Sequence, residues 1–214
     1  MGQKNFLQLH REYTQETLNE ESLLANPFEQ FQQWFKSALN AKLIDFNAMT
    51  LATADGVGRP SIRTVLLKEY DESGFVFYTN YESRKAKELN ENPNGALLFY
   101  WPTLERQIKI EGTVKKTSVK KSEAYFQSRP TESQIGAWVS PQSKPIANRQ
   151  ILEEKCNDYK ARYNTDKIPA PPAWGGYRLK PTLFEFWQGR PCRLHDRFQY
   201  TFTHQEWKIQ RLAP

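Results

Sequence analysis

The sequence predicts a mainly β protein in which the strands form a small barrel and the helices lie on its surface. Two observations predict this class. Residues 48–79 contain three short strands joined by turns, which is the usual start of an antiparallel sheet or barrel. Four further strands close the chain, and segments with helical spacing are inserted between the strands. We expect residues 27–214 to form a single domain, because no linker divides them.

The first predicted element is an amphipathic helix from Pro27 to about Lys42. Asn26 is a favourable N-cap, and a proline suits the first helical position. The apolar side chains that follow repeat at helical spacing and are expected in the core: Phe28, Phe31, Trp34, Phe35 and Leu39. The polar segment 1–26 is expected to be mobile until something tethers it.

Strands and short helices alternate through the remaining sequence. The predicted strands are 48–54, 61–70, 75–79, 96–101, 105–115, 175–179, 182–188, 193–202 and 207–212. The predicted helices are 84–90, 119–127, 132–139 and about 147–163, with Ser83 as the cap of the first of them. Residues 140–145 are a predicted loop, and residues 167–173 form a proline-rich arm.

The composition favours an anionic partner and disfavours several classes of site. The net charge is +6 and the pI is about 9.2, with the cations spread along the chain. This distribution favours a pocket for a phosphorylated small molecule over a nucleic-acid surface. Two cysteines and three histidines without ligand spacing argue against a metal site. Since no stretch has membrane-spanning length, we expect a soluble, cytoplasmic protein that binds no membrane.

The segment EFWQGRPCRLHDRF, residues 185–198, holds the most informative pattern. Its glycine and proline predict a strand, a sharp turn and a second strand. In an extended second strand, Arg193, His195 and Arg197 would share one face, where an anionic ligand would relieve their repulsion. Together with Trp187, they suit a planar, anionic ligand. The alternative is a solvated basic edge strand, which would resist pairing with other edges.

Two segments in the first half of the chain offer anion-binding groups. In RTVLLK, residues 63–68, strand alternation puts Arg63 and Lys68 on opposite faces, so the two would bind different anions. The alternative is charge that flanks a buried strand. Tyr78-Thr79 followed by Ser83-Arg84-Lys85 is more specific. A strand end that opens into a helix, with hydroxyls and cations nearby, is suited to bind phosphate.

A third candidate is the set Tyr125, Arg129 and Ser133, spaced by four residues. On a continuous helix these side chains would line one face and offer two hydroxyls and a guanidinium to an anion. Pro130 would bend that helix, and two unrelated helix surfaces are the alternative. Gln107, within a strand, could hydrogen-bond the edge of a heterocycle or could simply be exposed.

The sequence shows no Ser-His-Asp or Cys-His arrangement and no glycine-rich phosphate loop. A nucleophilic hydrolase is therefore disfavoured. Several phosphate-binding groups with few acid–base groups suit an enzyme whose cofactor carries the chemistry.

Assembled in order, these segments resemble the pyridoxamine (pyridoxine) 5′-phosphate oxidase family almost from end to end. The resemblance rests on RTVLLK at 63–68, FYTNYESRKAKEL at 77–89, LERQIKIEG at 104–112, YFQSRPTESQIGAWVSPQS at 125–143, EFWQGRPCRLHDRF at 185–198 and the closing RLAP. It implies an FMN-binding split β-barrel with surface helices and a homodimer with FMN at the subunit interface. It also implies oxidation of pyridoxamine 5′-phosphate or pyridoxine 5′-phosphate by dioxygen to pyridoxal 5′-phosphate, in vitamin B6 biosynthesis or salvage. Hydrogen peroxide, and ammonia from the amine, would be released.

The resemblance also assigns roles to individual residues. The residues expected to bind FMN are Arg63, Lys68, Tyr78, Thr79, Arg84, Lys85, Gln107, Gln142, Ser143, Trp187 and Arg197. The residues expected to bind substrate are Arg11, Tyr13, Lys68, Tyr125, Arg129, Ser133, Arg193 and His195. Arg193, His195 and Arg197 are the expected catalytic residues, with Arg193 and His195 over the pyridine ring. The segment 1–26 would cover the substrate.

Two departures and two rivals accompany this interpretation. The family usually shows two adjacent arginines before Glu-Tyr, but here His10 precedes Arg11, and Cys192 stands where relatives often have a polar residue. The first rival is a split-barrel FMN flavoprotein that acts on a different substrate, which would be expected to lack the substrate-binding set. The second is a basic nucleic-acid-binding barrel, which would need aromatic residues interleaved with cations on an open face.

Overall fold

A computed structural model describes residues 11–163 and 167–214. These residues form two compact units. The central unit comprises residues 47–97 and the described part of 111–181, and the terminal unit comprises residues 11–46, 98–110 and 182–214.

The helices are α1 Pro27–Asn40, α2 Arg84–Glu91, α3 Val119–Ser128, α4 Thr131–Val139 and α5 Gln150–Arg162. The strands are β1 Ala48–Ala54, β2 Pro60–Leu66, β3 Glu69–Asp71, β4 Gly74–Asn80, β5 Asn94–Trp101, β6 Arg106–Lys116, β7 Trp174–Gln188, β8 Asp196–Thr203 and β9 Glu206–Arg211.

In the terminal unit, α1 packs its aromatic face into the core, as its spacing predicts. Asn26 Oδ1 accepts a hydrogen bond from the Phe28 amide at 2.9 Å, so the predicted cap is confirmed. Phe31 and Trp34 are buried, and their rings contact Phe99 and Phe186 at centroid distances of 5.2 and 5.3 Å. Strand β8 pairs with β7 and β9, both antiparallel.

In the central unit the strands pair in the order β2-β1-β5-β6-β7-β4-β3. Strand β1 alternates strictly, with Met49, Leu51 and Thr53 buried, because one face of the sheet covers the core. Helices α3 and α4 bury a second apolar cluster of Phe126, Ile135, Val139, Ile168 and Trp174. Strands β5, β6 and β7 each contribute residues to both units.

The predicted strand 61–70 is two strands, because the backbone changes partner within it. The Leu67 amide donates to Asn47 O, next to β1, and the following Lys68 amide donates to Val76 O of β4, each at 2.9 Å. Strand alternation therefore stops at Leu66, and the predicted opposition of Arg63 and Lys68 does not hold. Conversely, the predicted strands 175–179 and 182–188 are one strand, β7, with Pro181 inside it.

The strand predicted at 193–202 begins at Asp196 instead. Residues Pro191–Arg193 form a 3-10 turn in which Cys192 and Arg193 have φ of 56° and 60°. These left-handed conformations reverse the chain direction, so Arg193 is not part of an extended strand. The prediction that Arg193, His195 and Arg197 share one strand face is wrong for this reason. The side chains of Cys192 and Arg193 are exposed in the turn.

The helices agree with their predicted positions to within about three residues, and α5 starts at Gln150 instead of Ala147. None of the helices in residues 11–163 and 167–214 combines the length and apolar character that a membrane crossing requires. Both Cys156 and Cys192 are free thiols.

Candidate functional site

The central unit contains a cavity of about 590 Å³ with a strongly cationic lining. Four cations line it, namely Arg63, Lys68, Lys85 and Arg129. Its neutral lining residues include Tyr78, Thr79, Tyr125, Ser133, Gln142 and Trp174. In the part of the chain that the structure describes, no carboxylate lines this cavity. An anion is the ligand that such a lining would attract.

Lys85, in the first turn of α2, is buried and enclosed by oxygen atoms. Its Nζ donates to Gln142 Oε1 at 2.9 Å, Thr79 Oγ1 at 3.1 Å and Ser83 Oγ at 3.3 Å. Burial, and next to it the charge of Arg63, lower the pKa of Lys85 to about 8, while Glu88 acts in the opposite direction. Ser83 occupies the N-cap position, but its side chain makes no capping bond, so the predicted side-chain cap is wrong.

Arg63, on β2, is held by four acceptors. Nη1 donates to Leu51 O at 3.1 Å and to Thr53 Oγ1, and Nη2 donates to Ser61 Oγ and to Glu88 Oε2, the last at 3.1 Å. Burial lowers the pKa of Arg63, although Glu88 acts in the opposite direction. The guanidinium is therefore fixed before any ligand arrives.

Three stacked aromatic rings form one wall of the cavity. The rings of Tyr78 and Tyr125 lie 4.0 Å apart and that of Trp174 lies 5.4 Å from Tyr78, all nearly parallel. Burial raises the pKa of Tyr78 to about 12, with the neighbouring Glu69 next in effect, so the phenol stays protonated. A Cβ at Gly176 would lie 2.8 Å from Tyr78 Cε1, so glycine is needed there for the ring to take this position.

Arg129 carries the clearest sign of a missing partner. Its guanidinium lies over Trp174, with Cζ 4.8 Å from the ring centroid, and burial lowers its pKa. Nη1 is buried and, among residues 11–163 and 167–214, has no hydrogen-bond acceptor. A buried donor without an acceptor is costly, so this atom indicates an anionic ligand. The residues present thus fit a phosphate group.

The helix is interrupted at Pro130, but the three residues predicted to bind an anion together still line one cavity. Helix α3 ends at Ser128 and α4 begins at Thr131, so the continuous helix does not exist. Tyr125, Arg129 and Ser133 nevertheless line the same cavity. Lys68, beyond the end of β2, also lines it.

Two predicted cofactor residues of the central unit are not among the cavity's lining. Arg84, next to Lys85, is exposed and its Nε donates to Glu88 Oε1 at 2.8 Å. Ser143 follows the lining residue Gln142 and has a φ of 69°.

Three residues that were not predicted from the sequence also line the cavity, namely Trp174, Thr64 and Asn80. Trp174 follows the proline-rich arm, and its sequence context gave no sign of a binding role.

The other predicted residues lie in the terminal unit, where three rings meet. Tyr13 packs edge-on against Trp187 and His195, at centroid distances of 5.7 and 5.5 Å, and Trp187 lies 4.6 Å from His195. A Cβ at Gly189 would come within 2.8 Å of the Tyr13 ring, so this packing requires glycine. Arg11 Nη2 donates to Glu105 Oε1 at 3.1 Å, which ties the N-terminal segment to the turn before β6.

His195 is a neutral imidazole in this cluster. Burial lowers its pKa, Arg193 and Arg197 lower it further, and Asp196 opposes them. The Arg190 amide donates to His195 Nδ1 at 3.1 Å, so the ring proton is on Nε2. His195 therefore offers a hydrogen-bond donor at neutral pH.

Arg197 is anchored by a buried carboxylate. Glu185 Oε1 accepts from Arg197 Nε at 2.9 Å and Nη2 at 2.8 Å, and Lys109 Nζ lies 3.1 Å from Glu185 Oε2. Arg197 Nη1 donates to Ala213 O at 2.8 Å.

Two further residues remain from the sequence analysis. Gln107 is half-buried on β6. His10 lies outside the described residues, so its predicted effect stays a prediction.

The antiparallel sheet with surface helices and a cationic cavity defines a split-barrel protein with a site for an anionic ligand. A family model described as pyridoxamine 5′-phosphate oxidase matches residues 35–163. A second, described as the pyridoxine 5′-phosphate oxidase C-terminal dimerisation region, matches residues 174–214. The chain belongs to the pyridoxamine 5′-phosphate oxidase family, and the predicted fold class and family are confirmed. The protein is accordingly an oxidoreductase of the flavoprotein class.

Curated relatives match over nearly the whole chain. A pyridoxine/pyridoxamine 5′-phosphate oxidase of Crocosphaera subtropica is 57% identical over 209 residues, covering 96% of this chain and 98% of the relative. One of Paraburkholderia phymatum is 56% identical, covering 96% and 97%. Among solved structures, PhzG from Burkholderia lata 383, in complex with tetrahydrophenazine-1-carboxylic acid, aligns with a TM-score of 0.88 and 29% identity, covering 93% of this chain and 98% of that chain.

Proposed function

We propose that this protein oxidises pyridoxamine 5′-phosphate or pyridoxine 5′-phosphate with dioxygen to pyridoxal 5′-phosphate, using FMN. Hydrogen peroxide would be released, together with ammonia when the substrate is the amine. The observation that carries the proposal is the buried Nη1 of Arg129 in the cationic cavity, which finds no acceptor in the described part of the chain. The names of the relatives at 50–57% identity support the same reaction.

The substrate phosphate would be bound by Lys68, Tyr125, Arg129 and Ser133. Arg129 supplies the unpaired donor, and the hydroxyls of Tyr125 and Ser133 line the same cavity. A guanidinium recognises phosphate oxygens with two parallel donors, which fixes orientation as well as affinity. Orientation dominates here, because moving a hydride requires alignment more than acid–base help.

The FMN phosphate and ribityl chain would be bound by Arg63, Tyr78, Thr79, Arg84, Lys85, Gln142 and Ser143. Lys68, which lines the same cavity, was also predicted to contact FMN. Bound at these residues, FMN would supply the chemistry of hydride acceptance from the substrate's 4′ carbon and of reoxidation by dioxygen. The protein supplies positioned charge, because both Arg63 and Lys85 are already held by oxygen acceptors.

The remaining predicted residues would act on the rings of substrate and cofactor. Arg193 would align the pyridine ring, and neutral His195 would donate from Nε2. Arg197, held by Glu185, would stabilise negative charge on the cofactor's pyrimidine end. Gln107 and Trp187 would contact the isoalloxazine, and Arg11 and Tyr13 would cover the substrate as part of segment 1–26.

We also propose that the protein works as a homodimer with FMN at the subunit interface. The match of residues 174–214 to a family region described by its dimerisation supports this assembly. A cytoplasmic location and a single domain over residues 27–214 also stay predictions.

An anaerobic titration with pyridoxine 5′-phosphate tests the reaction. The expected result is a yellow protein whose visible absorbance bleaches, which forms pyridoxal 5′-phosphate and which recovers its colour in air. A protein that stays colourless after incubation with FMN would refute the cofactor. Yellow protein that never bleaches would instead favour a different substrate.

A different substrate is the second candidate function. PhzG, the solved structure with a TM-score of 0.88, was captured with tetrahydrophenazine-1-carboxylic acid, which carries a carboxylate and no phosphate. The cavity around Arg129 favours the phosphorylated substrates, because the half-buried guanidinium of Arg129 and the ammonium of Lys68 line the same cavity and together offer more charge than one carboxylate requires. Bleaching by a dihydro-heterocyclic acid but not by pyridoxine 5′-phosphate would reverse this choice.

Lys85 makes FMN binding depend on pH. Because its pKa is about 8 in the ligand-free protein, Lys85 is charged below pH 8 and loses its charge above it. A bound phosphate stabilises the charged form, so FMN affinity should fall as pH rises from 8 to 9.5, by up to about tenfold per pH unit. Fluorescence titration of the apoprotein measures this slope. The variant Lys85→Arg should bind without it, and a flat wild-type profile would contradict the role of Lys85.

A further inference from the structure

Glu88 lies within the central unit and gathers two arginines around one buried carboxylate. It is on α2 and only 5% exposed. Its Oε2 accepts from Arg63 Nη2 at 3.1 Å and from the hydroxyls of Thr53 and Ser61, each at 2.5 Å. Its Oε1 accepts from Arg84 Nε at 2.8 Å. Glu88 is not among the residues that line the cavity, although Arg63 is.

The protonation state of Glu88 is secure. Burial raises its pKa, but the hydrogen bonds from Ser61, Thr53 and the two arginines outweigh burial and lower the pKa to about 2. The carboxylate is therefore charged throughout the working pH range. Glu88 is the one charged acceptor among the four that hold Arg63 in the described part of the chain. It also accepts from the hydroxyls of Thr53 and Ser61, which themselves accept from Arg63, so Glu88 supports the orientation of Arg63 both directly and through these hydroxyls.

We propose that Glu88 is a positioning residue that holds Arg63 and Arg84 ready for the phosphate of FMN. The inference rests on the proposed function, because it takes FMN as the ligand. Glu88 joins strand β2, which carries Arg63, to the first turn of α2, which carries Arg84. An arginine fixed in this way loses less side-chain entropy when phosphate binds than a free one does.

The proposal predicts that loss of the Glu88 charge weakens FMN binding, whereas simple electrostatics predicts that it strengthens FMN binding. A carboxylate near an anion site repels the anion, so removing its charge should strengthen phosphate binding if charge alone mattered. Loss of positioning should weaken binding instead. In Glu88→Gln the charge is removed and the size is kept. In Glu88→Asp the charge is kept, but the side chain is one methylene shorter and cannot reach both arginines.

The experiment titrates apoprotein with FMN and, separately, with riboflavin, which lacks the phosphate. We expect Glu88→Gln and Glu88→Asp each to weaken FMN binding about ten- to hundredfold, the factor expected for one or two charge-assisted hydrogen bonds. Riboflavin affinity should change less than about threefold, since no phosphate is involved. Glu91→Gln is the matched control, because Glu91 is an exposed acid on the same helix that contacts the Gly56 amide and neither arginine. It should bind FMN as wild type does.

The outcomes separate this proposal from the function on which it rests. Tighter or unchanged FMN binding in Glu88→Gln, or wild-type affinity in Glu88→Asp, would overturn the positioning role. Equal losses for FMN and riboflavin, or failure of both variants to fold, would show a structural role only and would also overturn it. Wild-type protein that binds neither flavin would refute the FMN assignment itself.

Discussion

Replacing Arg129 with methionine is expected to raise the KM for pyridoxine 5′-phosphate about 100-fold, since two charge-assisted hydrogen bonds to phosphate would be lost. The buried Nη1 of Arg129 lacks an acceptor in the described chain, so the side chain is committed to a ligand before the ligand binds. Methionine keeps an apolar contact with Trp174 but supplies no donor. Steady-state kinetics at saturating FMN measure the change.

The same substitution should leave the ligand-free protein as stable as wild type or slightly more stable. A buried donor without a partner costs about 1–3 kcal/mol, and methionine removes that cost. Thermal unfolding of the apoprotein checks this. Arg149→Met is the control, because Arg149 is exposed and pairs with Glu153 in the same unit. An unchanged KM in Arg129→Met would place the substrate phosphate elsewhere.

Replacing Arg193 with lysine is expected to lower kcat about 10- to 100-fold and to change KM by less than about threefold. Lysine keeps the positive charge, but an ammonium cannot reproduce the planar fork that would align the pyridine ring. Backbone strain should not contribute to the loss of kcat, because arginine and lysine are both unbranched at Cβ and have the same conformational cost at the Arg193 φ of 60°. Single-turnover bleaching under anaerobic conditions isolates the chemical step.

Two controls test whether the effect of Arg193→Lys is specific. Arg59→Lys changes an exposed arginine in the turn before β2, so it should leave kcat unchanged. Thermal unfolding should be the same in Arg193→Lys and wild type, because the Arg193 side chain is exposed. A kcat equal to that of wild type would remove Arg193 from the catalytic set, and a large rise in KM alone would make it a binding residue.

A second pH effect follows from His195. Its folded-state pKa is lowered by burial and by Arg193 and Arg197, so the unfolded chain binds a proton more readily. The free energy of unfolding should therefore fall as pH drops through about 6.5, the ordinary pKa of histidine, toward the lower folded-state value. Denaturant titrations of wild type and His195→Gln between pH 5 and 8 compare the slopes. A slope that is equal in both would contradict this contribution.

Elements with local sequence signals could be predicted without the structure. Helix α1 begins at Pro27 because Asn26 caps it and its aromatic residues repeat at helical spacing. Strand β1 matches its predicted bounds because one face is buried, which fixes a strict alternation. The family followed from several motifs in the right order, since long segments such as residues 125–143 carry far more information than a single motif.

Features that depend on partners distant in sequence could not be predicted, because folding creates those contacts. Strand 61–70 is split because the amides of Leu67 and Lys68 find acceptors on different strands. Arg193 leaves the predicted strand face because the turn at Cys192 is left-handed. The roles of Glu88 and Trp174 can be recognised only from the structure, where Glu88 contacts Arg63 and Trp174 contacts Arg129. Periodicity reports which face a side chain occupies, whereas ion pairs and ring contacts depend on side chains that folding brings together from distant parts of the chain.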